Sequence, residues 1–150
     1  MEYRDRWMKS EKAAEKLLTA AGKDLRAYRL TTPEGNNALE KYERVLELDP
    51  GNSEAKQGKR RIVDKYVQMA KEAIVDGRLG KAEGYLNKAA IIGVKQNAIQ
   101  NLEDELQASK KKRKKEKIAG LLASAKEDFR ANRLMTPEGN NALEKYERIL

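Results

Sequence analysis

The stretch Lys110-Lys111-Lys112-Arg113-Lys114-Lys115-Glu116-Lys117 could by itself bind something: it places seven cations and one acid in eight residues. Such a run suits the phosphates of RNA, DNA or an anionic membrane face. It carries +6 of the chain's net charge of +8, so the rest of the chain is nearly balanced. The candidate anionic-partner patch is therefore Lys110, Lys111, Lys112, Arg113, Lys114, Lys115 and Lys117. The competing reading is a solvated waist on a long helix. Eight residues wrap more than two helical turns, so no side of the run can be buried without burying lysines. Aromatic or Gly/Ser interleaving, which base stacking would call for, is absent.

Other chemistries find little to work with. The sequence has no His and no Cys, which removes imidazole bases, thiol nucleophiles and zinc knuckles. The serines Ser10, Ser53, Ser109 and Ser124 have no imidazole to activate them. Acidic pairs such as Glu103 and Asp104 sit in charge-rich stretches that read as solvated faces. Asp49-Pro50-Gly51-Asn52-Ser53-Glu54 lacks the spaced carboxylates of a calcium loop and reads as a turn with a helix cap. Gly58-Lys59 is followed by Arg60 where a phosphate loop needs Ser or Thr. No catalytic, cofactor-binding or metal-ligating residue is expected, and no cofactor. The longest apolar run, Ala89 to Val94, is far short of the ~20 residues that cross a bilayer. The start has no apolar leader region. A soluble piece of this kind suits the cytoplasm or the soluble part of a membrane-anchored protein, and no compartment is assigned.

The elements that would hold these residues are helical. Of 150 residues 37% are charged and only 5% aromatic, with a richness in Ala, Leu, Glu, Lys and Arg that favours helix. A duplication organises the chain. Leu17 to Leu46 reads LLTAAGKDLRAYRLTTPEGNNALEKYERVL, and Leu121 to Leu150 reads LLASAKEDFRANRLMTPEGNNALEKYERIL. The offset is 104 residues without a gap, and 22 of 30 positions are identical.

Each copy reads as two helices around a loop. In the first, Leu18, Ala21, Gly22 and Leu25 fall on one face. Pro33 pushes Thr32 out of the helical region, so the first helix should stop near there. Asn37 and Glu40 have the spacing of a capping box at the start of the second helix. Ala38, Leu39, Tyr42, Val45 and Leu46 form its apolar stripe. A diverged middle unit places Tyr66, Met69, Ala70 and Ala73 on one helix, with Gly77 as its C-terminal cap. Ala82, Leu86 and Ala89 line the returning helix. Tyr3 and Trp7, one turn apart, are expected to pack as a terminal cap.

This arrangement resembles the tetratricopeptide repeat. The residues that carry the likeness are Ala38, Tyr42 and Val45, then Ala82, Leu86 and Ala89, then Ala142, Tyr146 and Ile149 in the second helices. In the first helices they are Leu18, Gly22 and Leu25, then Tyr66, Ala70 and Ala73, then Leu122, Lys126 and Phe129. Leu48-Asp49-Pro50-Gly51-Asn52 adds a closing turn typical of the family. The chain departs from the pattern in its Thr-Pro-Glu-Gly turn insertions, in Lys126 at a small-residue position, and in Val94 where the family usually has proline.

The expected fold is all-α, a helix-turn-helix repeat solenoid with first helices extended at their starts. Residues 1–96 form a first lobe: an N-terminal helix and units over about 15–52 and 54–93. Residues 97–118 are an extended basic connector, and 119–150 a third, truncated unit. Asn97 to Arg130 should be one rod of about 50 Å, anchored by Ile99, Leu102 and Leu106 upstream and by Leu121, Leu122, Ala125 and Phe129 downstream.

The resemblance implies a protein-binding scaffold with a concave groove lined by first helices. In this sequence that groove would comprise Lys16, Thr19, Lys23, Arg26, Asp64, Val67, Lys71, Ile74, Glu127 and Arg130, with Ala123 beside them. It leans basic, which suits an acidic or C-terminal-carboxylate peptide. Leu143, Tyr146 and Leu150 are expected to be partly uncovered, an apolar patch through which the chain would self-associate. The alternative function is an adaptor that docks to nucleic acid or an anionic membrane through the lysine run.

Overall fold

Helix ends set the architecture. The computed structural model describes residues 2–93 and 97–150, with residues 2–7 and Lys9 described by their backbone alone. Six helices follow in order: α1 (Glu2–Arg26), α2 (Ala38–Leu48), α3 (Ser53–Val75), α4 (Leu79–Ile91), α5 (Asn97–Arg130) and α6 (Ala142–Glu147). The protein is all-helical, and no strand occurs among the described residues. The expected packing of Tyr3 on Trp7 and the departure at Val94 lie outside the described residues.

Three helices end in the same way. Past α1, Tyr28 takes a positive φ of 58°, the Arg29 N–H donates to the Asp24 carbonyl at 2.9 Å and the Tyr28 N–H donates to the Leu25 carbonyl at 3.4 Å. This paired closure satisfies carbonyls that a helix end would leave without donors. Gly77 closes α3 as expected, with Arg78 bonded to Ala73 at 2.8 Å. Asn132 closes α5, with Arg133 bonded to Asp128 at 2.8 Å. The proline is therefore not what stops α1. The helix ends at Arg26, several residues before Pro33, because the chain turns left-handed at Tyr28. The Thr32–Pro33 and Thr136–Pro137 peptides are both cis.

The chain divides into two compact units, Met1–Glu103 and Asp104–Leu150. The division falls inside α5, within the 97–118 stretch that the sequence suggests is a connector. In the first unit, α1 packs on α2, α2 on α3 and α3 on α4, and α1 also touches α3. Val45, Ile62, Val63 and Leu86 are its largest fully buried apolar side chains. The expected stripes supply Val45 and Leu86 and bury Ala38, Tyr42, Tyr66, Ala70, Ala73, Ala82 and Ala89 beside them, whereas Ile62 and Val63, one turn earlier on α3, lie outside those stripes. Gly58 sits against the Tyr42 ring so closely that a Cβ there would lie 2.2 Å from it. A side chain at that position would hold α3 away from α2.

The helix α5 spans 34 residues, Asn97–Arg130, as the lack of any breaker predicts. Ile99, Leu102, Leu106 and Ala125 are buried along it. Phe129, expected to anchor its end, is instead 64% exposed. The second unit, Asp104–Leu150, holds α5 from Asp104 onward and the short α6.

Candidate partner-binding surfaces

The duplicated loop is built the same way twice. In the first copy the Asn37 side chain caps α2, accepting from the Glu40 N–H at 3.0 Å, while its amide donates to the Pro33 carbonyl at 3.0 Å. The Ala38 and Leu39 N–H groups, which open α2, donate to the Arg29 and Leu30 carbonyls at 2.8 and 3.0 Å. The capping box is only half formed. The Glu40 carboxylate accepts from the Gly35 N–H at 2.9 Å rather than from Asn37. Gly35 reaches that position with φ of 80°, a conformation that disfavours any side chain. In the second copy Asn141, Glu144 and Gly139 repeat these roles.

Beneath each loop lies a buried carboxylate that the sequence reading passes over. Asp24 Oδ1 accepts from Arg29 Nε at 2.9 Å and from Nη2 at 2.5 Å, and Oδ2 accepts from Lys41 Nζ at 2.5 Å. Lys41 also donates to Asn36 Oδ1. Asp128, Arg133 and Lys145 form the same triad, at 3.0, 2.6 and 2.5 Å. Both aspartates are buried, whereas each arginine is about half exposed. Burial acts to raise the Asp24 pKa, but the bonds and charges of Lys41 and Arg29 outweigh it and hold that pKa below the ordinary value. Asp128 is held low chiefly by its bond from Lys145, then by Arg133. The available signal was the identity of all three residues at the offset of 104. These triads tie the end of one helix to the start of the next, through a loop that has no regular structure of its own.

The groove residues divide between the two units. Lys16, Thr19, Lys23 and Arg26 are exposed on α1, and Asp64 and Lys71 are exposed on α3. Val67 is half-buried. Ile74 is a correction: it is 8% exposed and belongs to the core, because α4 returns across the end of α3. Glu127 and Arg130 are exposed in the second unit. Near the close of α1, Lys65 Nζ lies 4.0 Å from the centroid of the Tyr28 ring, and the Tyr66 and Thr31 hydroxyls are 2.5 Å apart. Tyr66 stacks on Tyr85 with centroids 6.3 Å apart.

Of the basic run, Lys111 to Lys117 are exposed and Lys110 is half-buried. Lys112 approaches Glu116 at 4.0 Å across one turn. A cleft of about 930 Å³ lies between the N-terminal half of α1 and the α2–α3 turn, with Met8, Ala14 and Leu18 facing Leu48 and Pro50. The sequence gives no sign of it, because its two walls are brought together only by folding.

Several large apolar side chains stand exposed in the second unit. Phe129, Leu134, Met135, Leu143 and Tyr146 are all exposed. Leu143, Tyr146 and Leu150, expected to be uncovered, are all exposed.

Among the described residues, no cluster of three His, Cys, Asp or Glu side chains is placed to hold a metal ion, and no helix is long and apolar enough to cross a membrane. Comparison with protein-family models, with curated proteins and with solved structures finds no match to this chain.

Proposed function

We propose that this chain is a non-catalytic protein-interaction scaffold of the tetratricopeptide kind. Its first unit takes an acidic peptide, or one ending in a free carboxylate, along α1 and α3. One observation carries the reading: Lys16, Lys23, Arg26 and Lys71 are exposed on two helices that touch within one unit, with half-buried Val67 between polar neighbours. Cations of this kind recognise carboxylates by charge-assisted hydrogen bonds, and partly apolar neighbours limit the loss of affinity in salt. The family pattern of paired helices with small residues at their contacts supports the same reading.

The test is a titration of a labelled acidic peptide with a free C-terminus. Binding should weaken at least tenfold in the Lys16→Glu, Lys23→Glu, Lys71→Glu variant. It should survive between 50 and 200 mM salt, a range over which a phosphate interface loses about 10³-fold or more. Unchanged binding by the charge-reversed chain contradicts the proposal. A second reading, docking to phosphates, rests on the exposure of Lys111 to Lys117. It predicts steep salt dependence, and loss of RNA or anionic-vesicle binding when Lys111, Lys112, Lys114 and Lys115 become Gln.

A further inference from the structure

One face of α1 carries a line of cations that the packing of its unit does not use. Lys12, Lys16, Thr19, Lys23 and Arg26 follow one another at steps of four, three, four and three residues, the spacing that keeps side chains on one side of a helix. All five are exposed, and they lie opposite the side that buries Ala14, Ala21 and Asp24. The line runs about 21 Å along the helix axis. Lys41 and Lys59 of the same unit are held in ion pairs with Asp24 and Glu43, whereas none of the four cations on the line has an ion pair among the described residues.

The duplication shows that the line is not a requirement of the module. At the offset of 104 the same positions on α5 hold Glu116, Gly120, Ala123, Glu127 and Arg130, a net charge of −1 against +4 on α1. The buried side is kept, with Ala125 and Asp128 where α1 has Ala21 and Asp24, and the same triad and left-handed closure form. The two shoulders of the line differ from each other. Ala13, Ala20 and Ala27 run along one side at every seventh residue, the outer two exposed and Ala20 half-buried. Glu11 and Glu15 stand on the other side, at the cleft that α1 forms with Leu48 and Pro50.

We propose that this face docks an acidic amphipathic helix of a partner protein. The helix lies along α1 with its carboxylates on the cation line and its aliphatic side chains on Ala13, Ala20 and Ala27. The inference rests on the acidic-peptide reading and gives that peptide its conformation. The spacing carries it. A helix with carboxylates at steps of four and three advances about 5 Å per carboxylate, as the cations do, and stays in register over the whole line. An extended chain presents alternate side chains about 6.7 Å apart, so it is half a position out of step after two cations. The alanines admit a close approach between helices, and Glu11 and Glu15 repel an acidic helix from the opposite shoulder. A second copy of this chain is a poorer occupant. Glu40 and Glu43 of α2 have the required spacing, but they are bonded to Gly35 and Lys59.

The probes are two fluorescein-labelled peptides of one composition, both amidated so that no terminal carboxylate contributes. The first has glutamates at steps of four and three, with a leucine beside them at every seventh residue. The second has its glutamates at every second residue. Titration with the full chain at about 100 mM salt, followed by anisotropy, should give at least tenfold tighter binding of the first. Lys12→Glu in the chain should weaken that binding at least fivefold. Lys12 is exposed, so the variant keeps its fold, checked by circular dichroism. The four-lysine Gln variant of α5 should leave the binding unchanged. Equal binding of the two peptides overturns the helix proposal, and it leaves the acidic-peptide reading standing if the Lys16→Glu, Lys23→Glu, Lys71→Glu chain binds neither. Failure of the folded chain to bind the first peptide also overturns the proposal, and titration with the free-carboxylate peptide then decides the acidic-peptide reading separately. Single-stranded RNA that displaces the first peptide, and that Lys12→Glu releases, would assign the line to phosphates and overturn the partner-helix reading.

Discussion

Asp24 and Asp128 each close a helix–loop–helix by holding two cations, and their chemistry makes the fold acid-sensitive. Their folded pKa values lie below the ordinary 3.8. Ionised, they contribute stability that is complete above about pH 4 and is lost as pH falls through the folded values. Melting temperature should therefore fall as pH drops below about 4, and the Asp24→Asn, Asp128→Asn double variant should show a shallower decline. Removing one cation should be costly, because the carboxylate stays buried. Lys41→Met is expected to destabilise the first unit by about 2 kcal/mol, since half-exposed Arg29 remains as a partner. Gly58 makes a different kind of prediction. Gly→Ala inside a helix gains about 1 kcal/mol in propensity, but forcing a Cβ onto the Tyr42 ring costs about 1–3 kcal/mol. Gly58→Leu, which has no such room, should lower the denaturation midpoint clearly more than Gly58→Ala.

At the scale of elements, the reading of α5 shows what a sequence can convey. No proline interrupts Asn97 to Arg130, and Lys and Arg are good helix formers, so repulsion within the run does not break the helix. Changing Lys111, Lys112, Lys114 and Lys115 to Gln should keep the helical circular-dichroism signal and raise the melting temperature slightly at low salt. A loss of helicity would show that the run holds the helix by contacts not described above. The end of α1 was harder to read. Tyr28 is an unusual residue for a left-handed position, and nothing in its type announces that the helix stops there. Asn132, at the matching position, is the more legible of the pair. The Asp24 triad was equally hidden, because three charged residues in a charge-rich sequence look solvated until the fold buries one of them. Family register points Ile74 to a surface, and the return of α4 puts it in the core.

At the scale of the molecule, the helical class and the apolar stripes were legible from periodicity, and the duplication fixed where the modules lie. Coverage was legible only in part. Which face of a module lies bare depends on whether another helix packs there, and that is a property of the assembled unit. The proposed scaffold presents helix faces to protein partners, and its lysine run stays solvated. Hydrogen exchange of the full chain, read peptide by peptide, tests that claim most directly. It should be measured with and without the acidic peptide, and again with a short single-stranded RNA. The account predicts that the acidic peptide slows exchange in α1 and α3 around Lys16, Lys23 and Lys71, while residues 110–117 exchange at the same rate throughout. Protection of residues 110–117 by RNA, with no change in α1 and α3 on adding the peptide, would contradict it.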